Sequence, residues 1–218
     1  MRMFVALRPH PEAVEDLSEF LEPRRGAFDV GWTPPERWHV TLAFVDHVSE
    51  RALGRFEEAL AGVARKRCPL TVRLEGGGVF PDPFAAKVLF AVPAMGDHCR
   101  HELGRLASGV RTAATTSGLE IDGARFVPHV TLARSRRPMR AHRFLQVMET
   151  YSGPTWRASE IELVASHLGE GRASGRRHEV VASFQLAGVG CEDIEARDPG
   201  DPFVERADDE YGGQHPHE

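Results

Sequence analysis

The chain has no long hydrophobic run and few cysteines. No apolar stretch approaches the roughly 20 residues of a membrane-spanning helix, and the apolar start at residues 1–7 is too short for a signal peptide. The cysteines Cys68, Cys99 and Cys191 are scattered and odd in number. This usage indicates a reducing compartment without a disulfide framework, so we expect a cytoplasmic protein.

An excess of positive charge is also missing. Lys and Arg number 27 against 32 Asp and Glu, which gives a formal net charge of −5. Wide contact with a nucleic-acid duplex needs many cations. We therefore expect any nucleic acid to be recognised locally, as a single nucleotide or a chain end.

Metal-ligand clusters and phosphate-binding glycine loops are missing too. No Cys/His cluster suits zinc, and the carboxylates near the candidate site are too few for a magnesium cage. We therefore expect no metal and no other cofactor. The triple glycine at residues 76–78 matches no phosphate-loop pattern and precedes no helix, so it predicts a bulge or a bend.

What the chain does contain is a five-residue word that occurs twice, 90 positions apart. The first copy is His39-Val40-Thr41-Leu42-Ala43 and the second is His129-Val130-Thr131-Leu132-Ala133. Apolar residues alternating with polar ones predict a half-buried strand in each copy. Since residues i and i+2 of a strand share a face, each copy presents a His beside a Thr hydroxyl.

The remaining pattern predicts an α+β fold with a bilobal, pseudo-two-fold architecture around a central cleft. Strands are predicted at 3–7, 29–32, 37–45, 70–74, 87–92, 129–134, 159–168 and 179–186, and helices at 11–22, 49–67, 97–117 and 141–149. Residues 1–187 form the predicted domain. Residues 188–218 are acidic and poor in apolar side chains, which predicts a disordered tail.

Two imidazoles at one site favour general acid–base catalysis near neutral pH. One can deprotonate a nucleophile while the other protonates a leaving group, and the two Thr hydroxyls can hold a phosphate between the strands. Metal binding by two neutral imidazoles without a carboxylate or thiolate is a poor alternative. The near symmetry of the copies leaves open which His is the acid.

These residues resemble the paired H-x-T-x motifs of the 2H phosphoesterases. The flanks are similar to the RNA 2′,3′-cyclic phosphodiesterase (LigT-like) branch, historically named 2′-5′ RNA ligases, over about residues 1–187. The matching segments are 1–7, 38–44, 76–81, 126–134, 162–166 and 184–186. Two segments depart from the pattern of the branch. Phe44-Val45-Asp46 stands where the branch usually has Phe-Leu-Gly, and His178 precedes Glu179 where the family favours Tyr.

The resemblance implies a bilobal α+β fold with antiparallel sheets and hydrolysis of an RNA 2′,3′-cyclic phosphate end to a 2′-phosphate. It implies that His39 is the proton donor and His129 the proton acceptor. It also implies that the phosphate is bound by Thr41, Thr131 and Arg134. Strict alternation puts Ala133, not Arg134, on the catalytic face, so Arg134 contributes only if the strand ends or bulges there.

Several interpretations stay open. Phe44, Phe80 and Phe126 either stack on a base or belong to the core. The arginines that follow the second motif form either a solvated loop or an electrostatic funnel for an RNA end; they are Arg136, Arg137, Arg140 and Arg143. Ligation by the reverse chemistry and non-catalytic binding of RNA ends are alternative functions. We expect RNA with cyclic phosphate ends or small cyclic nucleotides as partners, no membrane, and a monomer.

Overall fold

The computed structural model describes residues 1–121, 123, 125–168 and 176–188. The strands are β1 (Arg2–Leu7), β2 (Gly31–Trp32), β3 (Val40–Asp46), β4 (Leu70–Phe80), β5 (Ala86–Ala94), β6 (Glu120–Ile121), β7 (Val130–Met139), β8 (Trp156–Ala158), β9 (Glu160–Leu168) and β10 (Arg176–Gln185). The helices are α1 (Pro11–Leu21), α2 (Glu50–Ala64), α3 (Asp97–Thr116) and α4 (His142–Glu149). The predicted α+β class is confirmed.

The sheet is antiparallel and falls into two halves of four strands. Their order is β10-β9-β1-β3 in one half and β7-β5-β4-β8 in the other. The two repeat strands, β3 and β7, meet at the centre, where Val40 pairs with Val130. Because these valines hold the same place in the repeated word, a two-fold axis through the pair exchanges the two copies.

The short strands β2 and β6 fill the space where the repeat strands splay apart. Trp32 of β2 pairs with Ala133 of β7, and Ile121 of β6 pairs with Val45 of β3. Each short strand precedes one repeat strand in sequence and pairs with the other. The exchange ties the two halves together on both sides of the central pair.

The helices lie on the face of the sheet that carries Val40 and Leu42. Helices α2 and α3 pack on each other and on the β3 half, while α1 and α4 pack on β4. In α2 the buried residues recur every four positions, and the hydroxyl of Ser49 caps the helix by accepting the amide of Ala52. Helices therefore leave the opposite face of the two repeat strands open, and that face forms a cleft.

Both repeat strands bulge at the same place in the word. In β3 the register against β1 shifts between Ala6 and Val5, so Leu42 and Ala43 both face the core. In β7 the register against β5 shifts between Phe90 and Leu89, and Leu132 and Ala133 are both fully buried. Each bulge returns the residue that follows the repeated word, Phe44 or Arg134, to the cleft face.

Some strands differ from the sequence expectation. β4 continues through the triple glycine to Phe80, with its register shifted between Leu74 and Gly77, so the expected bulge is present but the strand does not stop there. The positive φ of Gly76 (67°) suits that position to glycine. β6 and β8 were not predicted; they are only two and three residues long and are defined by their pairing with β3 and β4.

The cysteine expectation is wrong at one position. Cys68 is disulfide-bonded, whereas Cys99 is a free, buried thiol. Sequence spacing does not reveal which thiols the fold brings together. None of the helices in the described part of the chain is both long enough and apolar enough to cross a membrane. The predicted tail, apart from Gly188, lies outside the described residues.

Candidate active site

The cleft has a volume of about 530 Å³ and contains all four polar residues of the repeated motif. Its lining residues are Arg2, Met3, Phe4, Thr33, Arg37, His39, Thr41, Phe44, Asp46, Glu120, Ile121, His129, Thr131, Arg134, Ser166 and His178. Continuing the register from the Val40–Val130 pair sets His39 across from Thr131, and Thr41 across from His129. The motif thus forms a diagonal arrangement of two imidazoles and two hydroxyls.

The two histidines are held in the same way. Nδ1 of His39 lies 2.7 Å from the carbonyl oxygen of Arg37, and Nδ1 of His129 lies 2.8 Å from that of Val127. A carbonyl oxygen only accepts hydrogen bonds, so Nδ1 carries the proton and donates it. In each neutral ring, Nε2 is then the nitrogen able to accept or transfer a proton.

The approach to each motif fixes this geometry. Before β3, residues Pro35–Arg37 form a 3₁₀ turn, and the buried indole of Trp38 donates Nε1–H to the carbonyl of Thr33 over 3.1 Å. Before β7, Pro128 lacks an amide donor and restricts Val127 to extended conformations. In both cases the carbonyl two residues before the His is turned toward its ring.

Aromatic rings enclose both imidazoles. His39 stacks on Phe4 with centroids 4.7 Å apart, and His178 meets the His39 ring edge-on at 5.8 Å. On the other side, His129 contacts Phe80 at 5.1 Å and Phe90 at 5.3 Å. Each ring is therefore fixed in orientation and partly shielded from water.

This shielding lowers the proton affinity of both imidazoles. Burial lowers the pKa of His39 to about 4; the Arg37 carbonyl opposes the shift, while the charges of His178, Arg8 and Arg37 add to it. Burial also lowers the pKa of His129, against the effect of the Val127 carbonyl and in the same direction as the charge of Arg134. Both rings are neutral at pH 7 in the substrate-free protein.

The residues that follow the two copies of the word, Phe44 and Arg134, give the two sides of the cleft different character. Phe44 is 49% exposed and lies against Phe4 with centroids 5.9 Å apart. Arg134 is exposed, lies on the β7 side and is close enough to His129 to affect its pKa. Arg37 adds a second guanidinium to the lining.

Not every residue predicted for the site lines the cleft. Phe80 contributes behind His129 by packing on its ring and on Phe90, with Phe80–Phe90 centroids 4.6 Å apart. Phe126 is half-buried and packs against the main core. The basic residues after Arg134 lie outside the cleft lining and are exposed; they are Arg136, Arg137, Arg140 and Arg143.

His178 is the most prominent cleft residue that the motif does not include. Its ring contacts Phe4 at 5.0 Å and His39 at 5.8 Å. Arg2, Asp46 and Glu120 also line the cleft without having been predicted there. For two of these residues the sequence did carry a signal. Asp46 and His178 are the positions that depart from the family pattern, and both line the cleft.

Among the described residues, no three His, Cys, Asp or Glu side chains come together in a group that could hold a metal ion. The cleft instead combines two imidazoles, two hydroxyls and arginine side chains. This set suits proton transfer around an anionic tetrahedral group.

Comparison with known proteins agrees with this geometry. The family model described as LigT like phosphoesterase matches residues 5–90. A relative from Archaeoglobus fulgidus, named RNA 2′,3′-cyclic phosphodiesterase, is 33% identical over 137 residues, which cover 63% of this chain and 74% of the relative. A Thermus thermophilus relative of the same name is 30% identical over 162 residues, covering 72% and 77%. The chain belongs to the LigT-like phosphoesterase family.

Solved structures share the fold. The crystal structure of TT0787 of Thermus thermophilus superposes with a TM-score of 0.68 at 27% identity, covering 87% of this chain and all (100%) of that one. E. coli LigT in complex with 3′-AMP gives a TM-score of 0.62 at 22% identity, with 85% and 96% coverage. The predicted family and bilobal antiparallel fold are therefore confirmed.

Proposed function

We propose that the protein hydrolyses RNA 2′,3′-cyclic phosphate ends to 2′-phosphates without a metal ion. The observation that carries the proposal is the diagonal placement of two His-x-Thr pairs on facing strands of one cleft. Family membership and relatives named RNA 2′,3′-cyclic phosphodiesterase support the same substrate class.

In the proposed reaction His129 is the base and His39 the acid. Nε2 of His129 takes a proton from water, whose oxygen attacks phosphorus. The bond from phosphorus to the 3′-oxygen breaks, and His39 protonates that oxygen. Thr41, Thr131 and Arg134 donate hydrogen bonds to the non-bridging oxygens, where negative charge increases in the transition state.

The acid role requires the substrate to change the protonation of His39. With a pKa of about 4, His39 is neutral at pH 7 in the free protein. A bound phosphate anion next to the ring favours its protonated form and raises its pKa. Once protonated, a ring whose proton affinity the protein has lowered is a strong donor to the departing oxygen.

Hydrolysis of 2′,3′-cyclic AMP and of an oligonucleotide with a 2′,3′-cyclic phosphate end, in excess EDTA, tests the proposal. We expect the 2′-phosphate isomer as product. His39→Ala and His129→Ala should each lower kcat by about 10²–10⁴-fold. His98→Ala, an exposed position on α3, is the matched control and should keep full activity.

Full activity in both cleft variants would contradict the assigned roles. Loss of wild-type activity in EDTA, restored by a divalent cation, would contradict the metal-independent mechanism. Tight binding of the cyclic-phosphate oligonucleotide without turnover would favour an RNA-end-binding protein.

We further propose that the protein acts in the cytoplasm as a monomer. Relatives named RNA 2′,3′-cyclic phosphodiesterase point to a compartment that contains RNA, whereas the cysteine argument does not support the location, since Cys68 is disulfide-bonded.

A further inference from the structure

The two walls of the cleft end in side chains of opposite character. The identical words fold into strands that bulge at the same place, yet the residue that follows the word is Phe44 in one and Arg134 in the other. An arginine suits a phosphate, and an exposed aromatic ring suits the face of a nucleobase. The β3 half is therefore the side on which a base can lie.

A row of polar residues crosses the β3 half beyond Phe44. In the register, His178 of β10 pairs with Ser166 of β9, which pairs with Arg2 of β1, and Asp46 of β3 pairs with Glu120 of β6. Arg2 and Asp46 connect the two parts through an ion pair of 2.6 Å between Nε and Oδ1. All five residues line the cleft.

Two carboxylates sit side by side in this row. Asp46 and Glu120 are directly opposite on adjacent strands, an arrangement of like charges that costs stability. The hydrogen bond and charge of Arg2 hold the pKa of Asp46 below its usual value, so this side chain is a carboxylate at neutral pH. The row thus offers acceptors from the two acids and a donor from Arg2.

We propose that this row reads the edge of a guanine base stacked on Phe44, next to the 2′,3′-cyclic phosphate. The inference rests on the proposed function and names the nucleotide that the same cleft prefers. The proposed base site includes Asp46, one of the two positions at which the sequence departs from the family pattern.

Guanine fits because its edge mirrors the row. N1–H and the N2 amino group are adjacent donors for carboxylate oxygens, and O6 is an acceptor for the Arg2 guanidinium. Adenine and cytosine each offer one amino group beside a ring acceptor. Uracil has no amino group and offers one donor, N3–H, between two carbonyl oxygens that would face the carboxylates.

The spacing also fits a single nucleotide. Along a strand, the two residues from Phe44 to Asp46 span about 7 Å. Phe44 itself follows Thr41 directly on the cleft face, because the bulge turns Leu42 and Ala43 into the core. A base stacked on Phe44 can therefore belong to the same nucleotide as the cyclic phosphate at the motif, with the far edge of the base at Asp46.

The test is a comparison of the four nucleoside 2′,3′-cyclic phosphates. We expect kcat/KM for the guanosine substrate to exceed that for the uridine substrate by about tenfold or more, mainly through KM. Asp46→Asn and Glu120→Gln should each reduce this ratio several-fold, and the double variant should bring it near one. Glu58→Gln, which removes a charge on the exposed face of α2, should leave the ratio unchanged.

Equal rates on all four substrates, or a guanosine preference unchanged in the double variant, would overturn the inference while leaving the hydrolase intact. No hydrolysis of any of the four, or of the oligonucleotide, would instead contradict the proposed function. Thermal melting of each variant shows that the change in ratio comes from a folded protein.

Discussion

His39 is enclosed more tightly than a titrating residue usually is. Phe4 covers one face of the ring, His178 meets it edge-on, and the Arg37 carbonyl holds Nδ1. The pKa of His39 in the folded protein is about 4, against 6.5 for an unperturbed imidazole. In the proposed mechanism, such a residue links catalysis to the stability of the fold.

Stability should fall when the pH drops through this range. Between pH 6.5 and 4 the unfolded chain binds a proton at His39 that the folded chain does not, so acid favours unfolding. The His39 contribution to the free energy of unfolding should decrease by about 2–3 kcal/mol from pH 7 to pH 4.5. Urea denaturation at the two pH values measures it.

His39→Gln is the reference for this measurement. Glutamine does not titrate, so the variant should lose less stability than the wild type over the same interval, while all other groups contribute to both. Equal losses in the two proteins would show that folding does not lower the pKa of His39.

At the level of single strands, the paired bulges decide which side chains reach the substrate. Without them, alternation would place Ala43 and Ala133 on the cleft and turn Phe44 and Arg134 away. The register shifts leave the His-x-Thr pairs in place and add one further position to each wall.

The bulge in β7 predicts different roles for two arginines on one strand. Arg134 lines the cleft, whereas Arg136, two residues further along and also exposed, does not. Arg134→Gln should lower kcat/KM about 10²-fold, because a preorganised charged donor to the phosphate is lost. Arg136→Gln should change it less than about threefold, as expected for a screened surface charge.

Initial rates with a cyclic mononucleotide at constant ionic strength check this. Equal losses in both variants would mean that the arginines act together as an electrostatic funnel rather than through a contact of Arg134.

The sequence was sufficient to predict the principal strands and helices and a central cleft that the two motifs share. Helical and strand periodicity, Ser49 as a helix cap and the exact repetition of the word carried that prediction. It could not predict the bulges, since an extra residue on one strand is defined only by its partner. For the same reason the contacts of His178 and Asp46 with the cleft depended on the tertiary fold.

At the scale of the whole molecule, the described chain ends in contact with the body of the protein. Leu186 is buried, its amide donates to the carbonyl of Ser159 over 2.7 Å, and the amide of Gly188 donates to the carbonyl of Arg67 over 2.9 Å. Residues 186–188 therefore pack on the protein, and the domain boundary at residue 187 stays a prediction.

Shortening the chain tests this boundary. A chain that ends at Gly188 should melt within about 3 °C of the full chain and keep its kcat/KM. Both chains are measured with reductant, so that the disulfide bond of Cys68 does not contribute to the difference. A chain that ends at Gln185 also loses the buried Leu186 and should melt several degrees lower. A large loss of stability in the longer of the two would place the boundary beyond residue 188.

The two-fold axis through Val40 and Val130 has a consequence for how a substrate is oriented. A frame with this symmetry accepts an asymmetric molecule equally well in two opposite directions, and turning the molecule round exchanges the duties of the two histidines. Direction is therefore decided by the positions where the copies differ, foremost Phe44 and Arg134. Which imidazole gives the proton and which takes it is then a property of these two side chains rather than of the histidines themselves.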